Sequence, residues 1–237
     1  MILIDDAFRS VGEYRANWQA TETARPEACP GCRRKGSFWR HTPYWRKASD
    51  GEEVIDVRVQ RFRCKYSDCH LIVSCVFSFL CPYRRYTAKA VAESITEYAT
   101  GSANESGRAS YRKISDNRGA SRMSVFRWTS LLAGGATTLQ RQVQKEYLLR
   151  GFSWRSWMRL PAHYDCPNAR FAHSAEKCTR LHALALLLEM AQLFFGAMVT
   201  ALEQLHAYFL KDSESRQLIF TGGDINLAIH HRMGRAF

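Results

Sequence analysis

The sequence predicts an α+β fold, a small β region followed by helices, and three observations carry that expectation. Two cysteine pairs, Cys29 with Cys32 and Cys64 with Cys69, are separated by strand-like sequence. After Pro82 the apolar period changes from two residues to about 3.6. From Leu181 onward an apolar stripe runs for about four heptads, the pattern of a long amphipathic helix.

Composition sets the frame for these elements. A chain of 237 residues, 46% hydrophobic and 24% charged, is long enough for one large or two small domains and should be mostly globular. Its opening, MILIDDAFRS, has two aspartates and no basic stretch ahead of an apolar run, so no signal peptide is expected and the setting is read as cytoplasmic. Eight cysteines in a reducing compartment point to metal ligands or buried thiols rather than disulfides. The formal charge is +12, from 34 Lys and Arg against 22 Asp and Glu. It is concentrated in residues 33–65 and 84–127, both also rich in aromatics. Such a balance fits a polyanion partner, of which nucleic acid is the commonest.

Residues 1–28 read as a short N-terminal arm with one helix around Val11 to Gln19, ending at Pro26. Residues 29–82 read as β. In VIDVRVQ, Ile55, Val57 and Val59 alternate with Asp56, Arg58 and Gln60, the period of a half-buried strand. The preceding SDGEE is a turn signal, GSFWRHTPYW a plausible partner strand and HLIVSCVFSF a third. Beyond Pro82, Thr87 can cap a helix with Val91, Ile95 and Tyr98 on one face, closed at Gly101. The pair Gly134 and Gly135 is expected to separate the next helical block from a helix holding Leu139, Val143 and Tyr147. Residues 151–172 are aromatic and irregular, with Pro161 and Pro167 breaking any helix. The terminal stripe, Leu181, Leu184, Leu188, Ala191, Phe195, Met198, Leu202, Leu205 and Phe209, predicts a helix that packs against a partner, so a homodimer through residues 181–209 is expected.

The cysteine pairs have metal-hairpin spacing. Zinc in structural sites takes four tetrahedral ligands, and two cysteine hairpins can supply them while tying together strands too short to form a core. In CPGC, Pro30 sets the turn and Gly31 is expected to adopt a positive φ, leaving backbone N–H groups to face the thiolates. The second pair, with KYSD between its cysteines, has a longer gap, and His70 beside Cys69 is an alternative ligand. Zinc bound by Cys29, Cys32, Cys64 and Cys69 is the expectation. A thioredoxin-like reading of CPGC needs a helix starting at Cys29, which RRKGSFW does not resemble. Cys75 and Cys81 read as buried apolar residues. His163 with Cys166, and His173 with Cys178, lack a paired hairpin.

SYRKISDNRGASRMSVFRW has the pattern of two helices joined by a tight turn. A first helix from about Ala109 to Asp116 turns Tyr111, Ile114 and Ser115 inward, Gly119 supplies the flexible turn position, and Ser121 caps the second helix. There Val125, Trp128 and Leu132 form the buried stripe, while Arg122, Met123, Phe126 and Arg127 face outward. In a helix-turn-helix the second helix enters the major groove with its N-terminal residues at base edges. Arg122 is then a candidate for bidentate pairing with guanine, with Ser121, Met123, Ser124 and Phe126 beside it; Arg84, Arg85, Arg112, Lys113 and Arg127 suit phosphates.

CPGC, RFRCKYSDC, FLCPYRRYT and SYRKISDNRGASRMSVFRW together resemble the front end of bacterial insertion-sequence transposases, and more closely a family of small transposon-associated proteins of uncharacterised function. The resemblance covers residues 29 to about 135. It implies that the four cysteines are zinc ligands, that PYRRYT joins ribbon to helices, and that Ser121 to Trp128 is the recognition helix. The four-residue second knuckle departs from the family's pattern.

A transposase also needs three acidic residues on a ribonuclease-H-like sheet. Asp165, Glu176, Glu189, Glu203, Asp212, Glu214 and Asp224 fall in sequence that reads as helix and loop, so no catalysis is expected. Histidines such as His163 and His231 read as surface or core residues. Residues 183–201 approach the length of a membrane span, but Glu189 and Gln192 in their middle favour a bundled helix, and no membrane partner is expected. The composite expectation is a small β zinc ribbon (29–82) followed by a helix-turn-helix domain (83–135) and an all-α C-terminal region (136–237). The expected role is recognition of element ends or a target site on double-stranded DNA, with a transposase or other transposition protein as a candidate partner; a transcriptional regulator with the same parts and a protein–protein interaction module are the alternatives.

Overall fold

In a computed structural model, strand alternation and helix capping organise the described residues into a four-stranded sheet and five α-helices. The structure describes residues 2–81, 85–101, 109–149 and 166–195. They fall into two units, residues 1–88 and 89–237.

The first unit is built on the strands β1 (Ile2–Asp5), β2 (Phe38–Ser49), β3 (Val54–Cys64) and β4 (Ile72–Phe77), in the order β1-β4-β3-β2. The SDGEE turn closes the β2–β3 hairpin: Asp50 Oδ1 accepts from the Glu52 and Glu53 N–H groups, and Gly51 takes a φ of 100°. Residues 2–18 are part of this unit rather than an arm. β1 pairs parallel to β4, placing Leu3 beside Cys75. Helix α1 (Val11–Asn17) starts at Ser10, whose hydroxyl accepts from the Glu13 N–H, while Glu13 accepts from the Arg9 N–H.

The sheet carries two hydrophobic clusters because the alternation in β3 changes partway along. Ile55, Val57 and Val59 join Phe8, Tyr14, Ala48, Phe77 and Phe79 in one; Phe62 and Cys64 join Cys29, Phe38, Val73 and Cys75 in the other. Odd and even positions of a strand face opposite sides, so β3 gives opposite faces to the two clusters. The change coincides with a bulge in β2 between His41 and Tyr44. Its carbonyls are satisfied by side chains of β3: Gln60 donates to His41 O (2.7 Å) and Arg61 to Thr42 O (2.8 Å). Gln60, expected to face water, is therefore buried.

The second unit holds α2 (Ala88–Thr100), α3 (Tyr111–Arg118), α4 (Arg122–Leu149), a 3-10 turn (Pro167–Phe171) and α5 (Ala175–Phe195). Val91, Ile95 and Tyr98 are buried, and Gly101 after α2 has a φ of 77°. Arg118 at the end of α3 pairs with Glu93 and Glu97 of α2. The buried Asn168 side chain donates to Tyr98 O (2.6 Å) and Ala109 O (3.0 Å), tying the 3-10 turn to the flanks of α2 and α3.

Two expectations about helices are corrected. Gly134 and Gly135 do not end a helix: α4 runs through them as a single 28-residue helix. Each glycine costs about 1 kcal/mol relative to alanine, and burial of Leu132, Ala133, Ala136, Leu139 and Val143 outweighs that cost. The stripe from Leu181 to Ala191 is not a free interface, because α5 packs on α4 in the same chain and Gln140 donates to Ala183 O at 2.6 Å. Leu187 and Met190, off the heptad stripe, are buried too. A homodimer through residues 181–209 would draw on what that packing leaves exposed in α5, Leu193 among it, and on residues 196–209, which lie outside the described residues. Among the described residues no helix is long and apolar enough to cross a membrane.

The glycines of this unit give a test with opposite signs. Gly119 sits at the C-cap of α3 with a φ of 59°, where a side chain costs about 1 kcal/mol or more. An added Cβ at Gly134 would have nothing within 4 Å. Gly119→Ala is therefore expected to lower stability by about 1 kcal/mol and Gly134→Ala to raise it by about the same amount, both read from denaturant midpoints.

Candidate metal centre and basic helix pair

Four thiols converge where the two cysteine hairpins meet at one end of the sheet. Cys29, Cys32, Cys64 and Cys69 place their Sγ atoms within 4.8 Å of one another, with Cys29 to Cys69 and Cys32 to Cys64 both at 3.7 Å. A tetrahedral ion with metal–sulfur bonds of about 2.3 Å needs sulfurs about 3.8 Å apart. These residues could therefore hold a metal ion, and the thiols fit it.

The backbone explains why the unequal gaps converge. In the first hairpin the Arg33 N–H donates to Cys29 O (2.7 Å); in the second the His70 N–H donates to Tyr66 O (3.0 Å). Both are four-residue closures, and Tyr66 stands where Cys29 stands in the first. Lys65 and Tyr66 absorb the longer gap, and the Cys64 N–H donates to Leu71 O across the hairpin. The non-glycine left-handed positions are Arg33 (φ 61°) and His70 (φ 48°), each following the second cysteine of its pair. Gly31 does not take the positive φ expected of it. Its requirement is space, since an added Cβ would meet Leu71 Cδ2 at 3.1 Å and Cys69 Sγ at 3.3 Å.

Burial pushes the Cys29 thiol up, but the N–H groups of Cys32 and Gly31 and the neighbouring thiols outweigh it and bring the group down to about 7. Burial pushes Cys64 up to about 11; adjacent thiols add to the rise and the Tyr66 N–H opposes it. The Leu71 N–H draws Cys69 down, yet burial and the Cys29 and Cys32 thiols leave it above its ordinary value. Four sulfurs at this spacing repel one another as thiolates, so full ionisation requires a cation among them.

His70 is outside the cluster. Its Nδ1 lies 3.2 Å from Arg63 Nη2 on the exposed surface, and Cys69 supplies the fourth sulfur. Cys75 and Cys81 are buried as expected; desolvation pushes the Cys75 thiol up to about 12. Cys166 is buried with its thiol directed at Ala99 O (3.3 Å), and Cys178 is half-buried. The sequence reading missed a clamp between the hairpins: Arg34 donates from Nη1 and Nη2 to the two carboxylate oxygens of Asp68 (2.9 and 2.8 Å) and lies over the Tyr66 ring at 4.3 Å. A basic residue after the first pair and an acid inside the second were its only signal.

The second candidate surface is the start of α3 and α4. Ser110 caps α3 by accepting from the Lys113 N–H, and Ser121 caps α4 by accepting from the Ser124 N–H (3.1 Å). Ile114, Val125, Trp128 and Leu132 are buried between the helices, as the apolar spacing requires. Tyr111 stacks on Tyr98 with ring centres 4.3 Å apart and meets Phe126 edge-on. That packing leaves Arg112 and Lys113 on α3, and Ser121, Arg122, Met123, Phe126 and Arg127 at the start of α4, exposed; Ser124 is half-buried. Met123 is 55% exposed and Phe126 40%. Neither first turn carries an acid. Cations there oppose the helix dipole and cost a few tenths of a kcal/mol each. Arg85 is exposed in the first unit, and Arg84 lies outside the described residues.

Residues 29–128 match a domain of unknown function, DUF6431. The matched span opens at the first clustered cysteine and closes at Trp128 of α4. No curated protein and no solved structure matches the chain.

Proposed function

We propose that the chain is a zinc-dependent, sequence-specific DNA-binding accessory protein of a bacterial mobile element, acting without a catalytic domain of its own. In this reading the thiol cluster is the zinc site of a ribbon, and α3 and α4 form a helix-turn-helix whose second helix enters the major groove. The observation that carries it is the acid-free, solvent-facing start of α4, where Arg122 and Arg127 flank exposed Met123 and Phe126. Such a surface costs helix stability and suits a polyanion. Ser121 and Ser124 add hydroxyls that can reach phosphate or base edges. Four thiolates in a tetrahedron suit zinc or iron; zinc is proposed because a structural role in the hairpins needs no redox chemistry.

The role would be recognition of element ends or a target site, with a transposase as partner. Selection from a random duplex library tests it. An enriched motif of one helix-turn-helix half-site is expected. Recovery of all sequences alike would reduce the protein to a non-specific basic binder and defeat the reading.

A further inference from the structure

Neither the metal centre nor α3 and α4 uses the aromatics interleaved with the arginines of β2 and β3. Strand register sets Trp39 opposite Arg63 and His41 opposite Arg61. Beyond the bulge Tyr44 pairs with Val59, two residues from Arg61, so it shares their face. Trp39 is 62% exposed and Tyr44 37%. Each ring carries a cation: Lys65 Nζ lies 4.7 Å from the Trp39 ring centre, and Arg61 Cζ lies 5.7 Å from that of Tyr44. Asp56, opposite Lys47 at the far end of the hairpin, is the one acid on the two strands.

Large rings left in water forgo about 2 kcal/mol of burial each. Here they stand beside cations of a single sign, which limits the partner to a polyanion. In a duplex the base faces are already stacked and cannot reach such rings; in a single strand they can. We propose that this face is a stacking platform for unpaired nucleotides of single-stranded DNA, with bases on Trp39 and Tyr44 and phosphates on Arg61, Arg63 and Lys65. The cations hold the rings in place beforehand, so less side-chain freedom is lost on binding. Every base has a π-face, so the platform is sequence-tolerant. This site is independent of duplex recognition by α4, and the two can fail separately.

The test is titration of fluorescein-labelled oligothymidylate with the full-length, metal-loaded protein, followed by anisotropy. Trp39→Ala and Tyr44→Ala are each expected to weaken binding about fivefold or more, and Trp39→Phe to retain most of it. Arg63→Gln should lower the salt slope by about 0.7. Arg122→Ala should leave oligothymidylate binding unchanged, whatever it does to duplex binding. Trp39 is exposed, so unchanged metal content and thermal midpoint separate a lost contact from a lost fold. Failure to bind oligothymidylate, or Trp39→Ala binding like the parent, overturns the proposal. So does polyglutamate bound as tightly with the same dependence on Trp39, which would assign the face to acidic polypeptides.

Discussion

Removal of the metal is expected to unravel the cysteine hairpins and the end of the sheet they close. Around the thiols the buried cluster is Cys29, Phe38, Phe62, Cys64, Val73 and Cys75, so two of its members belong to the four-thiol set that could hold the ion. Phe38, Phe62 and Val73 each contribute about 1.5–3 kcal/mol by burial. A structural zinc contributes on the order of 10 kcal/mol, so an ion bound here would be the largest local effect. Chelation should therefore abolish protection of the amides from Cys29 to Gly36 and from Cys64 to Leu71 in hydrogen exchange. Cys64→Ser should do the same without chelator. His70→Ala should keep full metal content, because Nδ1 is engaged with Arg63 outside the cluster. Cys75→Ala, a change in the same core but not of a ligand, should cost only about 1–2 kcal/mol. Elemental analysis is expected to give one zinc per chain. Stoichiometric iron would reassign the ion, and a metal-free protein with intact protection would defeat the metal reading.

Replacing Arg122 by alanine should relax base preference at one position of the selected site by about 1–3 kcal/mol, the worth of a bidentate arginine–guanine pair. Lys113→Ala should behave differently: weaker binding to all duplexes alike, and a salt slope reduced by about 0.9. Arg122 stands in the first turn of α4 beyond the Ser121 cap, whereas Lys113 donates its N–H to Ser110 in the first turn of α3. Both side chains are exposed, so neither replacement should lower the thermal midpoint measurably. Equal losses on every sequence for both variants would leave α4 a phosphate-binding helix and remove base readout.

Signals readable in the sequence were those in which a residue's role depends on its near neighbours. Ser121 caps α4 because its hydroxyl reaches an N–H three residues on, and the spacing alone says so. Val125, Trp128 and Leu132 share a face by helical period. Ile55, Val57 and Val59 share one by strand period. The cysteine pairs pointed by their spacing to one cluster of four thiols, although which residue of the long gap would carry the closing hydrogen bond was not visible. Gly31 looked like a conformational glycine, but the left-handed residue is Arg33 and Gly31 makes room for the Cys69 sulfur. That distinction depends on where a sulfur forty residues away comes to rest.

The remaining differences have the same origin. ILID at residues 2–5 is too short to announce a strand and becomes one because β4 offers a free edge for parallel pairing. Gly134 and Gly135 read as a break, and burial of α4 against α5 outweighs their helix cost. The bulge between His41 and Tyr44 moves the buried face of the hairpin from one side to the other, and nothing in the local alternation of β2 marks it. By itself, then, the sequence determined the cysteine pairs, the Ser121 cap, the turn at Gly119 and the buried faces of α2, of the start of α4 and of β3 from Ile55 to Val59, since these rest on interactions spanning a few residues. Only the tertiary structure decided that the thiols close into one cluster without His70, that residues 2–5 complete the sheet, and that α4 continues through its glycines. Each of those depends on burial against distant residues, whose free energy exceeds the local preference it overrides.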